Sequence, residues 1–178
     1  MFEVIVIIAI VLAVAIAAIL IIAATKPDTF RIERSATINA PAEKIFAVLS
    51  DFHQWTNWSP WEHKDPALKR NFSGAERGKG AIYGWEGNKD VGTGRMEILE
   101  AGTPSKLVIK LDFFKPFEAH NTAEFTMLPQ GNATNVHWVM RGPAPFMSKV
   151  MQVFMNFDKM VGKDFEAGLA NLKQLTEK

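Results

Sequence analysis

The sequence predicts an α+β protein, in which an antiparallel sheet with one dry face is closed by a long C-terminal helix and preceded by a transmembrane helix. Three observations carry this. After Pro145, apolar residues recur at steps of three and four: Met147, Val150, Met151, Phe154, Val161, Phe165, Leu169 and Leu172. Leu107–Phe113, Ala119–Leu128 and Asn135–Arg141 alternate with period two instead. Val4 to Ala24 is a run of 21 residues without a polar side chain.

That first run spans ~31 Å as a helix, close to the ~30 Å hydrocarbon thickness of a bilayer. It opens on Met1-Phe2-Glu3, with no basic residue, and cleavage after Ala24 would put Ile22 at the minus-three position. Both features favour a retained anchor over a cleaved signal peptide. Residues 1–25 are therefore expected to cross the membrane once, with 26–29 as a linker and 30–178 as the soluble domain. Lys26, Arg31 and Arg34 follow the run, which places that domain on the cytoplasmic side. Ala9, Ala13 and Ala17 have the small-xxx-small spacing that lets two anchors self-associate weakly, although in so alanine-rich a segment they also read as filler.

Phe30 to Ile38 alternates as the first strand, with Phe30, Ile32, Ala36 and Ile38 on one face and Arg34 intruding on it. Asn39-Ala40-Pro41-Ala42-Glu43 starts a short helix, with proline near the first helical position. Phe52 to Trp61 carries three tryptophans and reads as a short helix and a turn. Six strands follow: 68–73, 81–86, 93–100, 107–113, 119–128 and 135–141. Turn-rich clusters separate them, so consecutive strands are antiparallel neighbours. Leu107, Ile109, Leu111, Phe113, Ala123, Phe125, Met127, Val136, Trp138 and Met140 share the dry face.

The C-terminal stretch from Phe146 to Lys178 reads as one helix of ~45 Å. Lys149, Gln152, Lys159, Lys163, Glu166 and Lys173 form its polar face, while Asp158 sits on the apolar stripe.

Composition narrows the chemistry. Charged residues are 22% of the chain and the formal net charge is +1, which gives no reason to expect nucleic acid. The absence of cysteine excludes disulfides, thiolate catalysis and cysteine-based zinc sites. Thirteen Phe, eight Met and five Trp suggest a roomy apolar interior. There is no Gly-x-Ser-x-Gly nucleophile elbow. Gly74-Ala-Glu-Arg-Gly-Lys-Gly80 lacks the spacing, the following Ser/Thr and the helix of a phosphate loop. His120, His137 and Glu124 share the wet face without a ligand-spacing motif, so no metal and no cofactor are expected.

The stretch Ile38-Asn-Ala-Pro-Ala-Glu-Lys-Ile-Phe46, then Trp55-Thr-Asn-Trp58-Ser-Pro-Trp61, the turn Gly74 to Gly80, Tyr83-Gly-Trp85-Glu-Gly87 and Thr134-Asn-Val-His-Trp138 together resemble the START/Bet v 1-like superfamily. This group is also labelled SRPBCC or polyketide cyclase/dehydrase-like, and the resemblance covers about Phe30 to Leu175. It implies a helix-grip fold: a curved seven-stranded sheet gripping the C-terminal helix, with an apolar cavity between them. The resemblance is specific to a fold, since its members include lipid carriers, hormone receptors, cyclases and chaperone activators.

On that topology the tether, the loop Phe113–Phe117 and the loop Gly142–Met147 meet at one end of the sheet. Phe114, Phe117 and Phe146 either close the core there or dip into the membrane interface. Arg34 and Asp158 lie at similar depth, ~13 Å and ~16 Å along their elements, and are expected within ion-pair or water-bridged reach. Asn121 is expected to join them. The pair reads as a satisfied core ion pair, as Asp158 tilted to the edge and solvated, or as a polar anchor that holds a ligand headgroup or serves as an acid/base.

The cavity is expected to be lined by Arg34, Tyr83, Trp85, Ile109, Leu111, Asn121, Phe125, Trp138, Met140, Met151, Phe154 and Asp158. The expected function is binding of an apolar small molecule or lipid at the membrane. Two alternatives remain: a cyclase/dehydratase-type enzyme using Asp158 as acid/base, and an interaction module with a filled core.

Overall fold

The computed structural model describes residues 1–178, apart from the side chain of Thr103. The apolar run forms α1 (Phe2–Thr25), which stands out from the domain, with only Ala23 buried. Three residues lead from it into β1 (Thr29–Ile38). Then come α2 (Ala42–Leu49) and two 3-10 turns (Phe52–Asn57 and Pro60–His63). β2 (Lys69–Gly74), β3 (Ala81–Glu86), β4 (Thr93–Thr103), β5 (Lys106–Lys115), β6 (Ala119–Gln130) and β7 (Ala133–Pro143) follow. Gly74 to Ala81 is the turn of the β2–β3 hairpin.

Among the described residues the seven strands form one antiparallel sheet in the order β1-β7-β6-β5-β4-β3-β2. The register of β4 on β5 shifts between Ile98 and Glu100, a bulge that leaves Leu99 exposed. Such bulges add local twist and curvature. The dry face carries Ile98, Leu107, Ile109, Phe125, Met127, Val136 and Trp138, all buried.

One end of the sheet collects the chain's appendages. Thr29 pairs with Pro143, Phe113 with Ala119, and Glu86 with Thr93. The tether and the 86–93 and 115–119 loops therefore share this end. The turns at 74–81, 103–106 and 130–133 lie at the other.

The C-terminal stretch departs from expectation. It is two helices, α3 (Phe146–Phe154) and α4 (Phe157–Thr176). Met155 is extended between them, at φ −127° and ψ 133°, and the Asn156 side chain accepts a 2.8 Å hydrogen bond from the Lys159 N–H. An asparagine N-cap starts a helix by satisfying one of its unpaired amides. The break resets the helical phase, so the stripe read from Met147 to Leu172 does not lie on one face. α4 buries Phe165, Leu169 and Leu172 against the sheet. α3 lies against α1 instead. Lys149, expected on the polar face, is buried there and donates to Asp28. The Ala144 N–H also reaches the Asp28 carbonyl at 2.7 Å. Asp28 thus fastens the start of α3 to the tether, and the Lys149 ammonium holds its carboxyl below the ordinary carboxylate range.

Candidate functional site: an aromatic cavity between sheet and C-terminal helix

Between the dry face, the two 3-10 turns and α4 lies a cavity of about 170 Å³. Period-two alternation turns Tyr83, Trp85, Met96, Leu111, Phe113, Ala123, Trp138 and Met140 toward it from five strands. α4 contributes Val161 and Phe165, and the segment between α2 and β2 contributes Trp55, Ser59, Trp61, Glu62 and Leu68. Val91, from the loop at the tether end, completes the lining. The partly exposed lining residues are Trp61, Trp85, Val91, Phe113, Met140 and Val161.

The aromatic wall is stacked. The Trp138 ring is parallel to that of Phe165, with centroids 4.0 Å apart, and stacks on Phe125 at 4.8 Å. Trp85 lies over Gly94, its cross-strand partner, where any Cβ would collide with the indole. Its Nε1 donates to the Val91 carbonyl at 3.1 Å, which ties the loop to the wall. The indole N–H groups of Trp58 and Trp138 and the Asn121 Oδ1 are buried without a partner among the described residues. Each such group carries a desolvation cost of about 1–3 kcal/mol.

One polar cluster enters this wall. Glu62 is 5% exposed. One carboxylate oxygen accepts 2.6 Å from the Tyr83 hydroxyl and the other accepts 2.6 Å from Arg70 Nε. Arg70 also donates to the Glu62 and Leu68 carbonyls, both at 3.2 Å. The Tyr83 hydroxyl is pushed well above the ordinary tyrosine range, first by burial and then by the neighbouring carboxylate. The bond to Glu62 raises the Arg70 pKa as well. The cluster is thus a carboxylate bonded at both oxygens, with its tyrosine kept protonated.

Of the residues expected in the cavity, Tyr83, Trp85, Leu111, Trp138 and Met140 line it. Ile109 and Phe125 are fully buried core residues behind the wall. Asn121 is buried on β6, packed where Gly142 has no side chain, and does not join the Arg34 pair. Met151 and Phe154 belong to α3, which the helix break carries away toward α1.

Asp158 is exposed rather than deep in the cavity, because it now falls in the first turn of α4. It does form an ion pair with Arg34, at 3.0 Å. All five Arg34 N–H donors are taken. Nε meets Glu166 at 2.7 Å; Nη1 meets the Glu33 carbonyl and Asp158 Oδ1; Nη2 meets the Asp158 carbonyl and Oδ2. The guanidinium occupies the space where a Cβ on Gly162 would stand. These bonds, first to Asp158 and then to Glu166, raise the Arg34 pKa, and the Arg34 bond lowers that of Asp158. The cluster is closed and staples α4 to β1, leaving Arg34 no donor for a ligand.

Trp55, Ser59, Trp61 and Glu62 were not expected in the site. They lie in irregular 3-10 structure that has no period to read. A charged residue directly after Trp61 in a tryptophan-dense stretch was the available signal. On the wet face, His120 bonds Asp112 and Glu118, and Arg141 bonds Glu124, so His120 and Glu124 are held by separate partners.

The fold has known counterparts. Protein Ms6760 from Mycobacterium smegmatis is 20% identical, with a TM-score of 0.57 over 84% of this chain and 92% of that one. The Aha1 dimer from Colwellia psychrerythraea is 15% identical, with a TM-score of 0.60 over 83% and 96%. The di-domain ARO/CYC BexL of the BE-7585A biosynthetic pathway is 13% identical, with a TM-score of 0.60 over 88% of this chain and 53% of that one. Identities this low speak for the fold alone. Among curated proteins none matches the sequence. Residues 29–177 match the family described as polyketide cyclase / dehydrase and lipid transport, and since that match covers nearly all of the chain outside α1, the protein belongs to this family.

Proposed function

We propose that this protein binds an apolar small molecule, or one apolar segment of a lipid, at the surface of a membrane crossed by α1. The observation that carries the reading is the cavity of about 170 Å³ with its almost wholly apolar, aromatic lining. A dry engineered cavity of about 150 Å³ holds benzene, so this one is suited to a ring-sized group. The filled-core alternative does not fit such a space. The acid/base alternative loses Asp158, which is outside the cavity, and the Glu62 carboxylate inside it is already engaged at both oxygens.

The test uses iodobenzene, whose heavy atom quenches tryptophan fluorescence. The full chain in detergent is expected to show saturable quenching, because Trp55, Trp61, Trp85 and Trp138 line the cavity. Ala123→Leu fills the space from the sheet side and is expected to abolish the saturable component. Quenching that is linear in probe, or equal in the two proteins, would count against the reading.

The membrane part rests on α3 and its surroundings. Phe146, Met147 and Phe154 of α3 face outward while Lys149 is buried, the reverse of a helix packed for water. Phe114 and Phe117 are exposed beside them at the tether end, Phe117 at 70%. This arrangement suits a rim that meets the bilayer interface. The chain has no cysteine, so single labels are clean. An environment-sensitive fluorophore at Phe117→Cys is expected to be blue-shifted in liposomes and quenched by spin-labelled lipid. The same label at Leu128→Cys, toward the opposite end of the sheet, is expected to report water. Equal spectra at the two positions would sink the proposed orientation.

A further inference from the structure

A second concavity lies outside the aromatic cavity. It is an open groove of about 480 Å³ between the tether with the first residues of β1 and the junction of α3 with α4. Phe154, Met155 and Phe157 line one wall; Lys26, Phe30 and Arg31 line the other. Resting on the reading that α1 crosses a membrane, we infer that this groove binds one phospholipid with a negatively charged headgroup. Its phosphate would lie against Lys26 and Arg31, and the first apolar atoms of its chains against Phe154 and Met155.

Depth is the first argument. Lys26 is the first charged residue after the apolar run, so it stands at the hydrocarbon boundary when that run spans the bilayer. The headgroup layer beyond that boundary is about 5–8 Å thick on each side, and the groove opens from that level. Charge is the second. Asp158 also lines the groove; it is paired with Arg34, which also binds Glu166 outside the groove lining. Arg31 is held by Glu33 in an ion pair in which both side chains are more than half exposed, a weak contact that a phosphate can replace. Lys26 appears in no ion pair among the described residues. Size is the third, since about 300–1,000 Å³ is the range of small-molecule sites. The apolar wall is the fourth. Phe154, at 69% exposure, offers an apolar surface for the start of an acyl chain.

The experiment is native mass spectrometry of the full chain released from nanodiscs that contain equal phosphatidylglycerol and phosphatidylcholine. One phosphatidylglycerol is expected to be retained preferentially. Lys26→Gln and Arg31→Gln are each expected to weaken that preference about five-fold, and together about thirty-fold, at about 1 kcal/mol per basic residue near a membrane surface. Both side chains can be changed without opening the core, so the thermal midpoint is expected to stay put. Met155→Glu, which puts a negative charge on the apolar wall, is expected to lower retention further. Equal retention of the two lipids, or a preference unchanged in the double variant, would overturn the inference. So would displacement of the lipid by millimolar inorganic phosphate, which would identify a free-phosphate site. Carbonate extraction separates the two readings. A chain that stays in the membrane pellet but shows no lipid preference refutes the groove alone, whereas a chain released by carbonate refutes the anchor on which it rests.

Discussion

The two charged clusters on the inner side of this domain make opposite use of the same chemistry. Arg34 with Asp158 and Glu166 is stretched across the rim of the groove, where both carboxylates are exposed. Glu62 with Arg70 and Tyr83 is set into the cavity wall, where the carboxylate is almost fully buried. Both tie carboxylates to an arginine through several hydrogen bonds. They differ in what remains when one partner is removed. At the rim, water replaces the lost partner. In the wall the Tyr83 hydroxyl is buried among aromatic side chains, so the loss is compensated less. The contrast teaches that an ion pair's importance follows the accessibility of its least exposed atom, and not the number of its bonds, which is greater at the rim.

The largest expected effect is therefore in the wall. Glu62→Leu is expected to destabilise the domain by about 2–3 kcal/mol, below the full value for a buried pair because Arg70 is partly solvated. Chemical denaturation of the full chain in detergent would measure it. Restoring an apolar match with Glu62→Leu/Tyr83→Phe is expected to recover part of the loss, since an unpaired buried hydroxyl is removed. A double variant no more stable than Glu62→Leu would remove the distinction between the clusters.

The smaller effect is at the rim. Asp158→Asn is expected to leave the thermal midpoint within about 2 °C of the unaltered protein, as for an exposed ion pair. Its pH dependence has a fixed sign. The folded-state pKa of Asp158 is lowered by the Arg34 bond, so its contribution is present above the ordinary carboxylate pKa and fades as pH falls through the lowered value. A difference between Asp158→Asn and the unaltered chain that grew toward low pH would contradict this.

Residues that line the cavity from strands were legible because alternation assigns each to a face. Tyr83, Trp85, Leu111, Trp138 and Met140 follow from parity alone. Ile109 and Phe125 obey the same parity yet lie behind the wall, since period two gives the face and says nothing of depth. Glu62 could not be placed, because the 3-10 turn that carries it leaves its direction to the packing of Trp55, Trp58 and Trp61. Asp158 pairs with Arg34 as expected, at the solvated edge and not deep in the cavity, for a different reason. The stretch Phe154-Met-Asn-Phe157 contains neither glycine nor proline, so the apolar period reads as one continuous helix. Asn156, an N-cap residue in mid-helix, was the one mark of the break.

The sequence by itself determined the apolar span, the strands and their faces, the α+β class and the family, because each rests on a local period or a short motif. Only the tertiary structure decided which charges are buried. It turned Lys149 inward and Asp158 outward, closed Arg34 on itself and set Glu62 into the cavity wall. The physical reason is that burial of a charge depends on partners brought from elsewhere in the chain. Lys149 and Asp28 are separated by 121 residues, and Tyr83 and Glu62 by 21. No local pattern records such pairings.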